Sequence, residues 1–172
     1  MSKADPTLGL TRRALLSGGT LLLGAFAFLP RRLRAEGAKY QLGAAVQALL
    51  EKDKLVHVCP LKSDGRESSC HAEVWYFWDR DAVVIATATK GWKARAVKGG
   101  KDKARLWVGD YGSTAPTFLA SASIDSDKDT FARLLASYAT RYPDEWAKWK
   151  PRFESSYNDG SRTVIRYTPI GA

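Results

Sequence analysis

Val74-Trp75-Tyr76-Phe77-Trp78, closed by Asp79, is the stretch from which the fold can be worked out. A strand with one wet face alternates apolar and polar residues; this one is apolar throughout, so both its faces must be covered. Upstream, Lys54–Leu61 (KLVHVCPL) predicts a strand, and Asp64-Gly65 is a two-residue hairpin signal that returns the chain into Ser69–Trp78. Downstream, Asp79-Arg80-Asp81 predicts a tight turn and Ala82–Thr89 a third strand. One face of the aromatic strand fills a barrel. The other calls for a partner subunit, a planar ligand or a helix laid across the outside.

The flanking chain agrees with a barrel. Leu42, Ala45, Val46, Leu49 and Leu50 recur at helical spacing within residues 36–53. Lys90–Lys103 predicts a basic connection with a Gly99-Gly100 turn. Ala104–Asp110 and Phe118–Ile124 predict the fourth and fifth strands. Ser126–Arg141 predicts a helix capped by Ser126 or Asp127, with Phe131, Leu134, Leu135 and Tyr138 as its buried stripe. Pro143 opens a second helix carrying Trp146, Trp149 and Phe153, and Arg162–Thr168 closes the chain as a strand after an Asn158-Asp159-Gly160 turn. Six short hairpin-linked strands with helices set apart predict an α+β protein built on an antiparallel barrel.

Charge divides the 172 residues in two. Residues 1–35 hold six basic residues and one acid, so most of the net charge of +9 lies there. The rest is only mildly basic, which argues against a nucleic-acid-binding face. Two cysteines are too few for a disulfide-stapled miniprotein. No apolar run reaches the roughly 18 residues of a transmembrane span. Arg12-Arg13 precede a weakly apolar run, Ser17–Leu29, and a basic cluster ending at Ala35. A charged segment followed by a short apolar one predicts an export signal over 1–35, and the paired arginines resemble a twin-arginine signal. Ala14 departs from that pattern, and Leu33-Arg34-Ala35 is a poor cleavage site. The resemblance implies the twin-arginine export machinery as a partner and a periplasmic or other extracytoplasmic destination for a protein already folded. An uncleaved amphipathic anchor is the alternative.

Chemistry gathers at one strand end. Thr87 and Thr89 share a strand face; Lys90, Lys93 and Arg95 follow within a few residues, beside Gly91. Hydroxyls, ammonium and guanidinium converging there make a cradle for phosphate or carboxylate, where a generic protein has a solvated loop. From Leu55 to Asp110, the DG hairpin, the V-W-Y-x-W strand ending at Asp79, Thr87-Ala88-Thr89 and Lys93-Ala94-Arg95 resemble the FMN-binding split-barrel proteins related to pyridoxamine 5′-phosphate oxidase. The resemblance implies a split barrel over 36–172 and a homodimer with the cofactor at its interface. It places the ribityl phosphate on Lys93 and Arg95 with help from Thr87 and Thr89, and the isoalloxazine against the backbone near Val74, Trp75 and Tyr76. Trp92 would stack on that ring or lid the core. The resemblance also implies hydride transfer between a small-molecule substrate and an acceptor. The alternative is a non-catalytic binding module holding haem, a deazaflavin or another small anion on the same barrel.

No acid or base stands out as catalytic. Reflection about Asp64-Gly65 pairs His57 with Ala72 and Cys59 with Cys70, and leaves His71 near Val58. Two histidines without further ligands do not make a metal site. The cysteine pair offers a disulfide, or else two small buried thiols.

Overall fold

The computed structural model describes residues 40–112 and 114–171, so the leader expected over 1–35 lies outside the described residues. Strands β1 (Leu55–Pro60), β2 (Ala72–Trp75), β3 (Phe77–Asp79), β4 (Ala82–Ala88), β5 (Lys103–Val108), β6 (Thr117–Asp125) and β7 (Arg162–Ile170) form one sheet in the order β2-β1-β5-β6-β7-β4-β3. All its pairings are antiparallel. The sheet curls into a nearly closed barrel with a seam, flanked by α1 (Ala44–Lys52), α2 (Trp92–Lys98), α3 (Lys128–Arg141) and α4 (Pro143–Asn158).

The count is seven strands rather than six because the aromatic strand breaks at Tyr76. Its first half pairs with β1 and its second with β4, so the two edges of the sheet are consecutive pieces of one segment. Side chains still alternate across the break. Val74, Tyr76 and Trp78 belong to the barrel core with Val56, Leu106 and Ile165, whereas Trp75 and Phe77 join an outer core with Phe131, Leu134, Tyr138, Tyr142 and Phe153. The outer face is therefore covered by α3 and α4 of the same chain. Trp75 stacks on Tyr142 with centroids 4.3 Å apart and planes at 4°, and Tyr138 meets Trp75 edge-on at 5.7 Å.

Two tyrosine hydroxyls take over from the sheet ladder where it is interrupted. The Tyr142 hydroxyl accepts from the Tyr76 N–H (3.1 Å) and lies within donating distance of the Lys54 (2.7 Å) and Tyr76 (3.2 Å) carbonyls. The Tyr138 hydroxyl donates to the Trp75 carbonyl at 2.8 Å. Buried backbone groups demand such partners, which is why the break can sit inside the molecule.

Other boundaries follow local chemistry. Asp127 caps α3, accepting from the Asp129 N–H at 3.0 Å. Arg80 (φ 50°) and Asp81 (φ 62°) form the two-residue β3–β4 turn in the left-handed geometry that short hairpins favour. Beside it, buried Asp79 pairs with Arg133 (2.9 Å) and Arg166 (2.7 Å). The segment expected as a plain connection, Lys90–Lys103, instead contains α2, whose Ala94 and Val97 face the barrel core.

Candidate functional site

β4 ends at Ala88, and the chain turns through Gly91 into α2. A Cβ on Gly91 would lie 2.9 Å from the Ala88 carbonyl oxygen, so the chain's own backbone makes this position glycine. The next residues carry the cations. Lys93 is only 8% exposed, with its Nζ 4.2 Å from the centroid of the Trp92 ring. Its ammonium has no hydrogen bond or ion pair among the described residues, and burial holds its pKa below the ordinary lysine value. Two residues on, exposed Arg95 lines a cavity of about 450 Å³ between α2 and the β1–β2 hairpin. Trp92, Ser68, Cys70, Lys62 and Lys101 also line it, giving three cations and no carboxylate.

The other expected contacts are distributed differently. The Thr89 hydroxyl donates to the Gly160 carbonyl at 2.8 Å, and Thr87 is half-buried beneath Gly91. Val74 and Trp75 line a second cavity, of about 320 Å³, with Ala86, Tyr138, Trp149, Phe153, Glu145 and Arg162. Tyr76 is fully buried, and its hydroxyl lies 2.7 and 2.8 Å from the Leu50 and Asp53 carbonyls. Within one chain, Trp92 and Arg95 line the cationic cavity, Lys93 lies on the same helix but does not line it, and Val74 and Trp75 line a different cleft. Lys101 belongs to the basic run visible in the sequence; Lys62 sits in the hairpin turn, and only the fold adds it.

The β1–β2 hairpin departs from simple reflection. His57 lies opposite Glu73 and Val58 opposite Ala72, but near the turn Leu61 faces Glu67. Between these points two residues of the outgoing strand face four of the returning one. That bulge separates the cysteines: Cys59 is buried with its thiol 3.3 Å from the Ser68 carbonyl, Cys70 is exposed, and both are free rather than disulfide-bonded. The bulge also brings His71 onto His57, with Nε2 of His57 2.5 Å from Nδ1 of His71. Tyr111 stacks on the His71 ring at 4.8 Å and lies tilted by 33° against the His57 ring at 4.6 Å. Nδ1 of His57 is buried without a partner. Among the described residues no three His, Cys, Asp or Glu side chains converge on a metal site.

Comparison with solved structures places the fold. The conserved hypothetical protein Rv2991 from Mycobacterium tuberculosis superposes with a TM-score of 0.58 at 17% identity, covering 78% of this chain and 84% of that one. A candidate pyridoxamine 5′-phosphate oxidase from Listeria innocua gives a TM-score of 0.52 at 12% identity over 74% and 92%. The haem storage protein HutZ from Vibrio cholerae gives 0.50 at 13% over 77% and 93%. No family model and no curated protein matches the chain. The protein has the split-barrel fold of the pyridoxamine 5′-phosphate oxidase-like proteins.

Proposed function

We propose that this protein is an FMN-dependent oxidoreductase of the pyridoxamine 5′-phosphate oxidase-like class, working as a homodimer on a small-molecule substrate after export through the twin-arginine route. The observation that carries the proposal is the cavity beside α2, lined by Arg95, Lys62 and Lys101 with no carboxylate, on a helix whose Lys93 is buried without a counter-charge among the described residues. Cations that share a cavity without a carboxylate repel one another, and a bound phosphate relieves that repulsion. Arg95, Lys62 and Lys101 supply further donors, and Trp92 offers an aromatic face. A cavity of about 450 Å³ falls in the range of small-molecule sites, about 300–1,000 Å³. The residues present fit a ribityl phosphate.

When bound, FMN would supply the hydride chemistry; the protein's part is to bind and orient. Lys93 and Arg95 would fix the phosphate. Cys70 and Ser68 would form the facing wall. Val74 and Trp75, in their separate cleft, would reach the isoalloxazine of a cofactor shared between two protomers.

A second reading is a haem-holding or deazaflavin-holding module without turnover. The likeness to a haem storage protein and the His57–His71 pair favour its haem form.

Absorbance of the purified chain distinguishes the readings. A releasable flavin band supports the oxidoreductase, and a Soret band supports the haem module. Lys93→Ala with Arg95→Ala removes charge-assisted bonds of about 1.5–3 kcal/mol each, so flavin retention on desalting should collapse. Unchanged retention rejects the assignment.

A further inference from the structure

The seam of the barrel is itself a cleft. Continuing the β3–β4 register of Phe77↔Val84 would set Trp75 opposite Ala86, yet no ladder forms there. Instead the Tyr138 hydroxyl stands between the strands, donating to the Trp75 carbonyl at 2.8 Å and facing the Ala86 backbone. The gap so created is the cavity of about 320 Å³. The rings of Trp75, Tyr138, Trp149 and Phe153 line it together with Arg162.

Arg162 is bound in every way except by charge. Its guanidinium lies 4.0 Å over the Phe153 ring, and its Nε donates to the Ser156 hydroxyl at 2.7 Å. It has no ion pair among the described residues. Burial lowers its pKa, and the neighbouring Arg152 adds to that; Arg152 lies 5.5 Å over the Trp149 ring. Nη1 of Arg162 also donates to the Ala86 carbonyl at 3.5 Å, which leaves the Nη2 end of the guanidinium for an incoming oxygen. Exposed Glu145 lines the same cavity and carries the opposing charge.

We propose that the seam cleft binds a planar aromatic carboxylate, with the ring between the Trp75, Trp149 and Phe153 side chains and the carboxylate on Arg162. The volume is near the lower end for small-molecule sites and suits one ring or a fused pair. The cleft shares no lining residue with the cationic cavity beside α2, but it is the one through which Val74 and Trp75 would reach a shared isoalloxazine, so a bound flavin and the carboxylate would compete there.

Isothermal titration of the full chain with 2-naphthoate and its neutral isostere 2-naphthamide tests the proposal. Naphthoate should bind 1:1 and at least tenfold tighter than the amide. Arg162→Gln should erase that preference, and Glu145→Gln should tighten naphthoate several-fold by removing repulsion. Lys93→Ala with Arg95→Ala, which removes the contacts assigned to the flavin phosphate, should not weaken naphthoate binding, so loss of flavin and loss of this site are told apart. Absence of naphthoate binding, or equal affinity for acid and amide, overturns the proposal. If Arg162→Gln does not fold, the acid-to-amide ratio on the unmodified chain and the Glu145→Gln shift decide.

Discussion

His57 resists protonation on three sides. Burial disfavours its charged form most, His71 at hydrogen-bond distance adds to this, and Lys93 lowers its pKa further; only Glu73 acts in the opposite direction. Its folded pKa lies below the ordinary 6.5. Within the window between those values the unfolded chain takes up a proton that the folded chain refuses. His57's contribution to stability is therefore full above 6.5 and is lost as the pH falls. Denaturant unfolding at pH 7.5 and 5.5 should show stability dropping on acidification, with a shallower drop in His57→Gln. Equal drops would mean that other groups govern the acid limb. At this same scale the cations of α2 were visible from sequence, because Lys93 and Arg95 stand in one short run. The histidine pair was not, because it depends on extra residues between Ser68 and His71 whose effect on register no local pattern reveals.

Helices and strands are joined here by side chains remote in the sequence. Tyr142 reaches back 66 residues to hold the backbone of Tyr76. Tyr142→Phe keeps the ring that stacks on Trp75 but leaves the Tyr76 N–H without its acceptor. A buried unsatisfied donor costs about 1–3 kcal/mol, and thermal or denaturant unfolding should show a loss of that order. A change under about 0.5 kcal/mol would indicate that the ladder break is held by packing alone. This dependence also explains why the sequence pattern shows six strands where the fold has seven. Apolar residues on both faces announced a strand covered on both sides, and the covering helix was among the options. The site of the break is dictated by a hydroxyl in another element. The helix α2 leaves no mark in the sequence for a different reason: with only Ala94 and Val97 facing the core, it is too short for a periodic stripe.

Closure of the whole barrel rests on the covalent continuity of residues 72–79. Two glycines inserted between Trp75 and Tyr76 preserve the alternation of faces but uncouple the two edges of the sheet. The same two glycines after Gly65 lengthen an exposed turn that has open space around it. Lengthening a loop costs little, about 0.6 kcal/mol per doubling. The turn insertion should therefore leave the melting temperature within a few degrees of the parent, while the strand insertion should lower it sharply or abolish a single cooperative transition. Equal effects would show that the seam is already independent of its linking residue. The strand order could be anticipated only in part, since hairpins predict neighbours in sequence, whereas the β1–β5 and β4–β7 pairings join segments that are far apart along the chain.

Because one segment furnishes both rims of the sheet, those rims are only four and three residues long. A rim that short gives little template for strand addition, the step by which exposed edges recruit further chains into cross-β arrays. Among the described residues, the two rims therefore offer a second copy side-chain surfaces and only short stretches of main chain, a geometry that favours a finite assembly over an open-ended fibre.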